Sequence, residues 1–153
     1  MKNIELKRTH STDRNFQLLV KKLDAELAER DGQDHAFYDQ FNKIDTIKYV
    51  VVAFNENEKP VGCGAIKEIG NNAMEVKRMF VPTENRGRGI AGEILKELEI
   101  WAKELKFEKC LLETGLKQPE AISLYKKSGY KQIDNYGQYA GVENSICFEK
   151  ILR

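Results

Sequence analysis

Three apolar runs lie almost back to back in the middle of the chain: "KYVVVAF" from Lys48, "VGCGAIKEI" from Val61 and "AMEVKRMFV" from Ala73. Each is rich in β-branched or aromatic residues, and only "NENEKP" and "GNN" separate them. Parallel neighbours need a crossover of a dozen or more residues, so links this short predict an antiparallel meander. At position 86 the pattern changes abruptly. "RGRGIAGEILKEL" opens a stretch in which Ile90, Ile94, Leu95, Leu98, Trp101, Ala102 and Leu105 fall at helical spacing, ahead of the strand-like "KCLLET". This is the one clear strand, helix, strand crossover, and it predicts that the flanking strands are parallel neighbours.

The remaining elements fit around that centre. "IELKRT" reads as a first strand. Asp13 to Arg30 reads as a helix capped by Thr12 or Asp13, with Phe16, Leu19, Leu23 and Leu27 near one face. Ala36 to Phe41 is a shorter helical piece. A further helix runs from Pro119 to Ser128, begun by a proline whose missing amide donor costs little there and stopped by Gly129. "GYKQI" follows, and "SICFEKIL" alternates enough to be a closing strand, expected at an exposed sheet edge. With 153 residues, 41% hydrophobic, and no repeat or long linker, one core spanning residues 1–153 as a single domain is expected.

Charge and composition exclude several roles. The chain carries 25 basic and 24 acidic side chains, a formal charge of +1, without the basic surplus expected of a nucleic-acid binder. "MKNIELKRTHSTDRNF" has no apolar signal core and no apolar run is long enough to cross a bilayer, so a cytoplasmic protein without a membrane partner is expected. Cys63, Cys110 and Cys147 are far apart in apolar runs and read as buried free thiols, while His10 and His35 have no ligand companions. No metal is expected.

Gly87, Gly89 and Gly92 spell the dinucleotide fingerprint G-x-G-x-x-G. The context argues against that fold, because a meander precedes the turn and too little chain remains for a second parallel half. No Gly-Lys-Ser/Thr ending supports a triphosphate loop. What survives is physical: glycines allow close backbone approach, the first amides of a helix point outward, and the helix dipole favours an anion there. Arg86 and Arg88 add positive charge. Taken from the residues alone, this is either a pyrophosphate site or a simple helix-opening turn with solvent-facing arginines.

"VPTENRGRGIAGEIL" resembles the acyl-coenzyme A binding motif of the GCN5-related N-acetyltransferase (GNAT) superfamily, which is Arg or Gln, two residues, Gly, one residue, then Gly or Ala; Arg86, Gly89 and Ala91 match it. The likeness covers nearly the whole chain, including "AISLYKKSGY", which is similar to that superfamily's final helix and following strand. It implies an α/β acyl-CoA N-acyltransferase fold: a mixed, mostly antiparallel central sheet flanked by helices and splayed between its fourth and fifth strands. It also implies acetyl-coenzyme A as co-substrate. Its pyrophosphate would sit on amides from Arg86 through Gly87, Arg88, Gly89 and Ile90 to Ala91, and its pantetheine arm along the strand end at Met79, Phe80 and Val81, bonding to the backbone of Met79 and Val81. Gln118 stands where the superfamily frequently has an asparagine bonded toward the coenzyme arm.

The implied reaction is attack by a neutral amine on a thioester, so a proton must leave the amine and the departing thiolate gains from a donor. By the same resemblance Glu75 is the base, acting directly or through water, and Tyr125 the donor near sulfur. The rival readings are a solvent-facing Glu75 beside Lys77 and a Tyr125 that only packs. The acceptor would enter opposite the coenzyme, past Lys77 and Arg78, Glu113, Tyr136 and Tyr139. Lys77 and Arg78 are expected on opposite faces, since side chains of a regular strand alternate. Tyr136 and Tyr139 either shape a polar aromatic pocket or pack a loop or subunit contact. The preferred reading is an acetyltransferase for a small-molecule amine. The alternatives are a protein N-terminal or lysine acetyltransferase and a non-catalytic acyl-coenzyme A sensor, with a homodimer through the final strand or the aromatic loop.

Overall fold

The computed structural model describes residues 3–31 and 47–153. The expected helical piece at 36–41 and His35 lie outside them. Among the described residues seven strands form one sheet in the order β1-β2-β3-β4-β5-β7-β6. They are β1 (Glu5–Thr9), β2 (Tyr49–Phe54), β3 (Pro60–Gly70), β4 (Ala73–Phe80), β5 (Lys109–Gly115), β6 (Lys131–Ile133) and β7 (Ser145–Ile151). Three helices among the described residues pack on it: α1 (Arg14–Asp31), α2 (Ile90–Glu104) and α3 (Pro119–Lys127).

The expected meander is present, with β2, β3 and β4 pairing antiparallel. The crossover through α2 makes β4 and β5 parallel neighbours, as its length requires. They pair only at Ala73, Met74 and Glu75 against Lys109, Cys110 and Leu111, and part beyond that point. This splay opens toward the C-terminal ends of both strands.

The helices divide the core into two layers. Asp13 caps α1, its Oδ1 accepting from the Phe16 amide at 3.0 Å, and Phe16, Leu19, Val20 and Leu23 are buried against Val50, Val52, Cys63 and Phe80. On the opposite face Ile90, Ile94, Leu95, Leu98 and Ala102 of α2 pack with Val51, Ile66, Met74 and Val76, joined by Tyr125 of α3. The α2 contact is close because β3 carries glycines beneath it. A Cβ on Gly64 would overlap Met79 Sδ and stand 3.0 Å from Leu98 Cδ1. All three cysteines are buried and free, and burial pushes the Cys63 and Cys110 thiols up to about 12, which leaves them inert at neutral pH.

Two expectations change here. The final strand is not an edge: β7 lies between β5 and β6, pairing Cys147, Phe148 and Glu149 with both. The edges are β1 and the three-residue β6, which returns to the outside because α3 carries the chain past β7. The strict alternation of β4 also fails. Ala65 pairs with Lys77 but Cys63 with Phe80, so two steps on β3 answer three on β4, and the extra residue is a β-bulge. Arg78 takes the extra place with φ of 58°. Lys77 and Arg78 therefore lie on the same side, toward α1.

Candidate active site

Two cavities follow from this framework, one at each end of the splay. The first is built from main chain. Pro82 accepts from the Asn85 amide and Thr83 from the Arg86 amide, closing a short 3-10 turn at Thr83–Asn85. Gly87 and Gly89 then take φ of 82° and 77°, left-handed values that disfavour any residue with a Cβ. Gly89 is the N-cap of α2 and offers no side chain, and the first intrahelical bond runs from Glu93 to the Gly89 carbonyl at 3.2 Å. The amides of Ile90, Ala91 and Gly92 thus have no partner within the helix. They face a cavity of about 310 Å³ bounded on its far side by Glu120, Ser123, Leu124 and Lys127 of α3.

The arginines divide their work. Arg86 Nε donates to the Val81 carbonyl at 2.7 Å, its Nη2 to Glu26 of α1 at 2.8 Å, and its guanidinium lies 5.9 Å from the Phe80 ring centre. Its charge is committed to holding the turn. Arg88 is exposed and lines neither cavity. Phe80, expected along the coenzyme arm, pairs its backbone with Cys63 and buries its ring beneath α1, because the bulge sets it on that face. Lys127 was not foreseen from sequence, although Glu120, Ser123, Leu124 and Lys127 share one face of α3 at helical spacing.

The second cavity, of about 100 Å³, is built from side chains. β4 contributes Glu75, Lys77, Arg78 and Met79, β5 contributes Glu113, and α3 contributes Gln118 and Tyr125. Tyr139 closes it from the β6–β7 loop and Leu23 and Leu27 from α1. Glu75 is 4% exposed, which removes the solvent-facing reading. Its Oε2 accepts from the Tyr136 hydroxyl at 2.6 Å and its Oε1 stands 3.5 Å from Lys77 Nζ. Tyr136 does not line the cavity itself. It reaches Glu75 because Asn135 ties the loop shut, donating to the carbonyls of Val142 and Ser145 at 3.0 Å. Tyr136 and Tyr139 meet edge to face at 5.7 Å, so the aromatic pair is turned inward over the site.

Charges of both signs are buried together here, and Arg78 Nε has no hydrogen-bond partner among the described residues. Burial drives the Lys77 ammonium toward its neutral form, and Glu75 opposes that. Arg78 is buried and its Nη2 donates to Asp24 of α1, which holds the bulge to that helix. Tyr125 is 6% exposed, packed edge to face on Tyr130 at 5.9 Å and tilted on Phe148 at 6.2 Å. Burial, reinforced by the Glu113 charge, raises its pKa, so the hydroxyl is a donor throughout the neutral range. Gln118 is the N-cap of α3 but makes no side-chain cap bond, and Pro119 follows at the first helical position.

α1 joins the two cavities. Beyond Arg78–Asp24 and Arg86–Glu26, Arg30 Nη1 donates to Glu120 Oε1 of α3 at 2.6 Å. The helix thus spans the splay, bonded to β4 on one bank and α3 on the other. Sequence reasoning had no means of finding Glu26 and Arg30, since a charged helix face looks the same whether it meets solvent or a partner. Among the described residues no helix is long and apolar enough to cross a membrane.

The donor set suits an anionic ligand with an extended arm: uncapped amides and Lys127 at one end, then unpaired strand ends, then a small polar cavity. Known proteins share this plan. A Klebsiella pneumoniae crystal structure of acyl-CoA N-acyltransferase type superposes with a TM-score of 0.83 over 98% of each chain at 27% identity. The PaiA N-acetyltransferase of Thermoplasma acidophilum, solved with coenzyme A, shares the fold at 19% identity and a TM-score of 0.67 over 97% of this chain and 98% of that one. The IAA acetyltransferase of Azospirillum brasilense is 39% identical over 93 residues, 60% of this chain and 61% of its own. The N-acetyltransferase YsnE of Bacillus subtilis is 28% identical over 99 residues, 63% and 66% of the two chains. The chain thus matches about three fifths to two thirds of the length of these two curated relatives. The model of the acetyltransferase (GNAT) family matches residues 16–130, which takes in α1, the meander, the glycine turn, the splay and α3, and the chain belongs to that family.

Proposed function

We propose that this protein transfers an acetyl group from acetyl-coenzyme A to a primary amine of a small molecule by direct attack in a ternary complex. The observation that carries the reading is the placement of the two cavities along the splay of β4 and β5: the amides at the start of α2 border one, Tyr125 and Glu75 the other. The pyrophosphate lies on the amides from Gly87 to Ala91, with Lys127 adding charge. The Arg86 amide already serves the turn. The pantetheine arm follows the open edge of β4 at Met79 and Val81, and Gln118 faces it from α3.

Glu75 takes the proton of the incoming amine, directly or through water, and Tyr125 supplies a proton or hydrogen bond to the departing sulfur. Lys77, Arg78, Glu113 and Tyr139 line the acceptor space, and Tyr136 fixes the Glu75 carboxylate. Much of the gain comes from holding amine and thioester together in a small space. The protein acts in the cytoplasm, with no nucleic-acid or membrane partner.

An amine panel tests this. Purified protein with acetyl-coenzyme A should release free coenzyme A in proportion to at least one small primary amine. Activity confined to peptides would move the assignment to a protein acetyltransferase, and thioester binding without amine-dependent release would make it a sensor.

A further inference from the structure

Lys77 has no place in the reaction just described beyond lining the acceptor space, yet its setting is that of an amine nucleophile. It is 8% exposed and, among the described residues, is the one lysine bordering the cavity that also holds Tyr125 and Glu75. Its Nζ stands 3.5 Å from Glu75 Oε1, within reach of a single proton transfer on slight closure. The neighbouring Arg78 guanidinium is a donor-only fork without a lone pair for attack. Lys77 and Tyr125 border the same cavity of about 100 Å³, the space in which the proposed reaction places the thioester carbonyl. Burial favours the neutral amine, aided by Lys67 and opposed by Glu75 and Glu113.

We propose that Lys77 is itself an acetyl acceptor, modified in cis when no amine occupies the cavity. This rests on the acetyltransferase reading above. The neutral Nζ attacks the thioester carbonyl carbon, a C–N bond forms and the C–S bond breaks. The Nζ proton passes to Glu75, and the sulfur leaves with its electron pair and takes a proton from the Tyr125 hydroxyl, which recovers one from solvent. Lysine amine and acetyl-coenzyme A become acetyl-lysine and free coenzyme A. The product amide carries no charge to pair with Glu75 and fills the acceptor space, so the protein silences itself in the absence of substrate.

The experiment is incubation of the full chain with acetyl-coenzyme A alone, followed by intact-mass measurement and peptide mapping. One acetyl group should appear per chain, on Lys77, read as loss of tryptic cleavage after that residue. Its rate should be independent of protein concentration, at least about tenfold above that at exposed Lys103 and Lys131, and about tenfold or more lower in Tyr125→Phe. A saturating amine acceptor should suppress it. Acetylation spread over exposed lysines, or an unmodified Lys77 in protein that turns over an amine, overturns the inference and leaves the transferase reading standing. Failure to bind acetyl-coenzyme A at all overturns both.

Discussion

The glycine turn and the side-chain cavity at Glu75 and Tyr125 are made in opposite ways. The turn uses amides and two left-handed glycines, and its one committed side chain, Arg86, is spent on holding the backbone. The cavity uses side chains from β4, β5, α1, α3 and a loop, its two cations held in ion pairs, Lys77 with Glu75 and Arg78 with Asp24. A main-chain site binds whatever carries the right phosphate and is indifferent to most substitutions. A side-chain site changes character with each residue. Under the proposed function, binding of the common co-substrate and choice of acceptor would thereby be separated physically.

That contrast is sharpest where each site is touched alone. Tyr125→Phe should lower kcat by about a hundredfold while the Kd for coenzyme A changes little, since a proton donor acts mainly in the transition state. Stopped-flow turnover beside calorimetric binding checks it, and equal loss in both would blur the two regions into one. Gly89→Val places a β-branched residue at φ of 77°, at a cost of about 1–2 kcal/mol. Coenzyme A should bind roughly tenfold more weakly by calorimetry, with the preference among amine acceptors unchanged.

Within the cavity, Tyr136→Phe should reduce kcat a few-fold by releasing the Glu75 carboxylate, the removed bond being one to a charged group worth about 1.5–3 kcal/mol. In a Glu75→Ala background the same change should cost nothing further, and additive losses would show that Tyr136 acts elsewhere. The smallest effect belongs to the strap. Arg30 and Glu120 are partly exposed, so Arg30→Ala should cost no more than about 1 kcal/mol and lower Tm by at most about 4 °C. A tenfold loss of coenzyme affinity there would make Arg30 part of the anion site.

Legibility followed the same division. The meander, the crossover and the turn were readable because link length, helical period and glycine placement are local properties. The core face of α2 was fixed by spacing alone, from Ile90 to Ala102. The β6–β7 exchange was not readable, because no local signal says which side of β5 a later strand will take. Nor was the sharing of one face by Lys77 and Arg78, since a bulge at a non-glycine residue leaves no mark in composition. The sequence leaves Tyr136 open between the pocket wall and a loop or subunit contact, and its bond to Glu75 depends on Asn135 folding the loop shut.

The bulge also has an arithmetic. Counting along β4, Met74 and Val76 face α2 while Lys77, Arg78 and Phe80 face α1. If Arg78 were absent, Met79 would still follow Lys77 on the opposite side and Phe80 would still return beneath α1. Arg78 is thus a supernumerary residue whose omission would leave every other side chain of the strand on its present face. The alternation of the strand has no need of it, so its left-handed backbone answers to the ion pair with α1 and to the cavity wall rather than to the sheet.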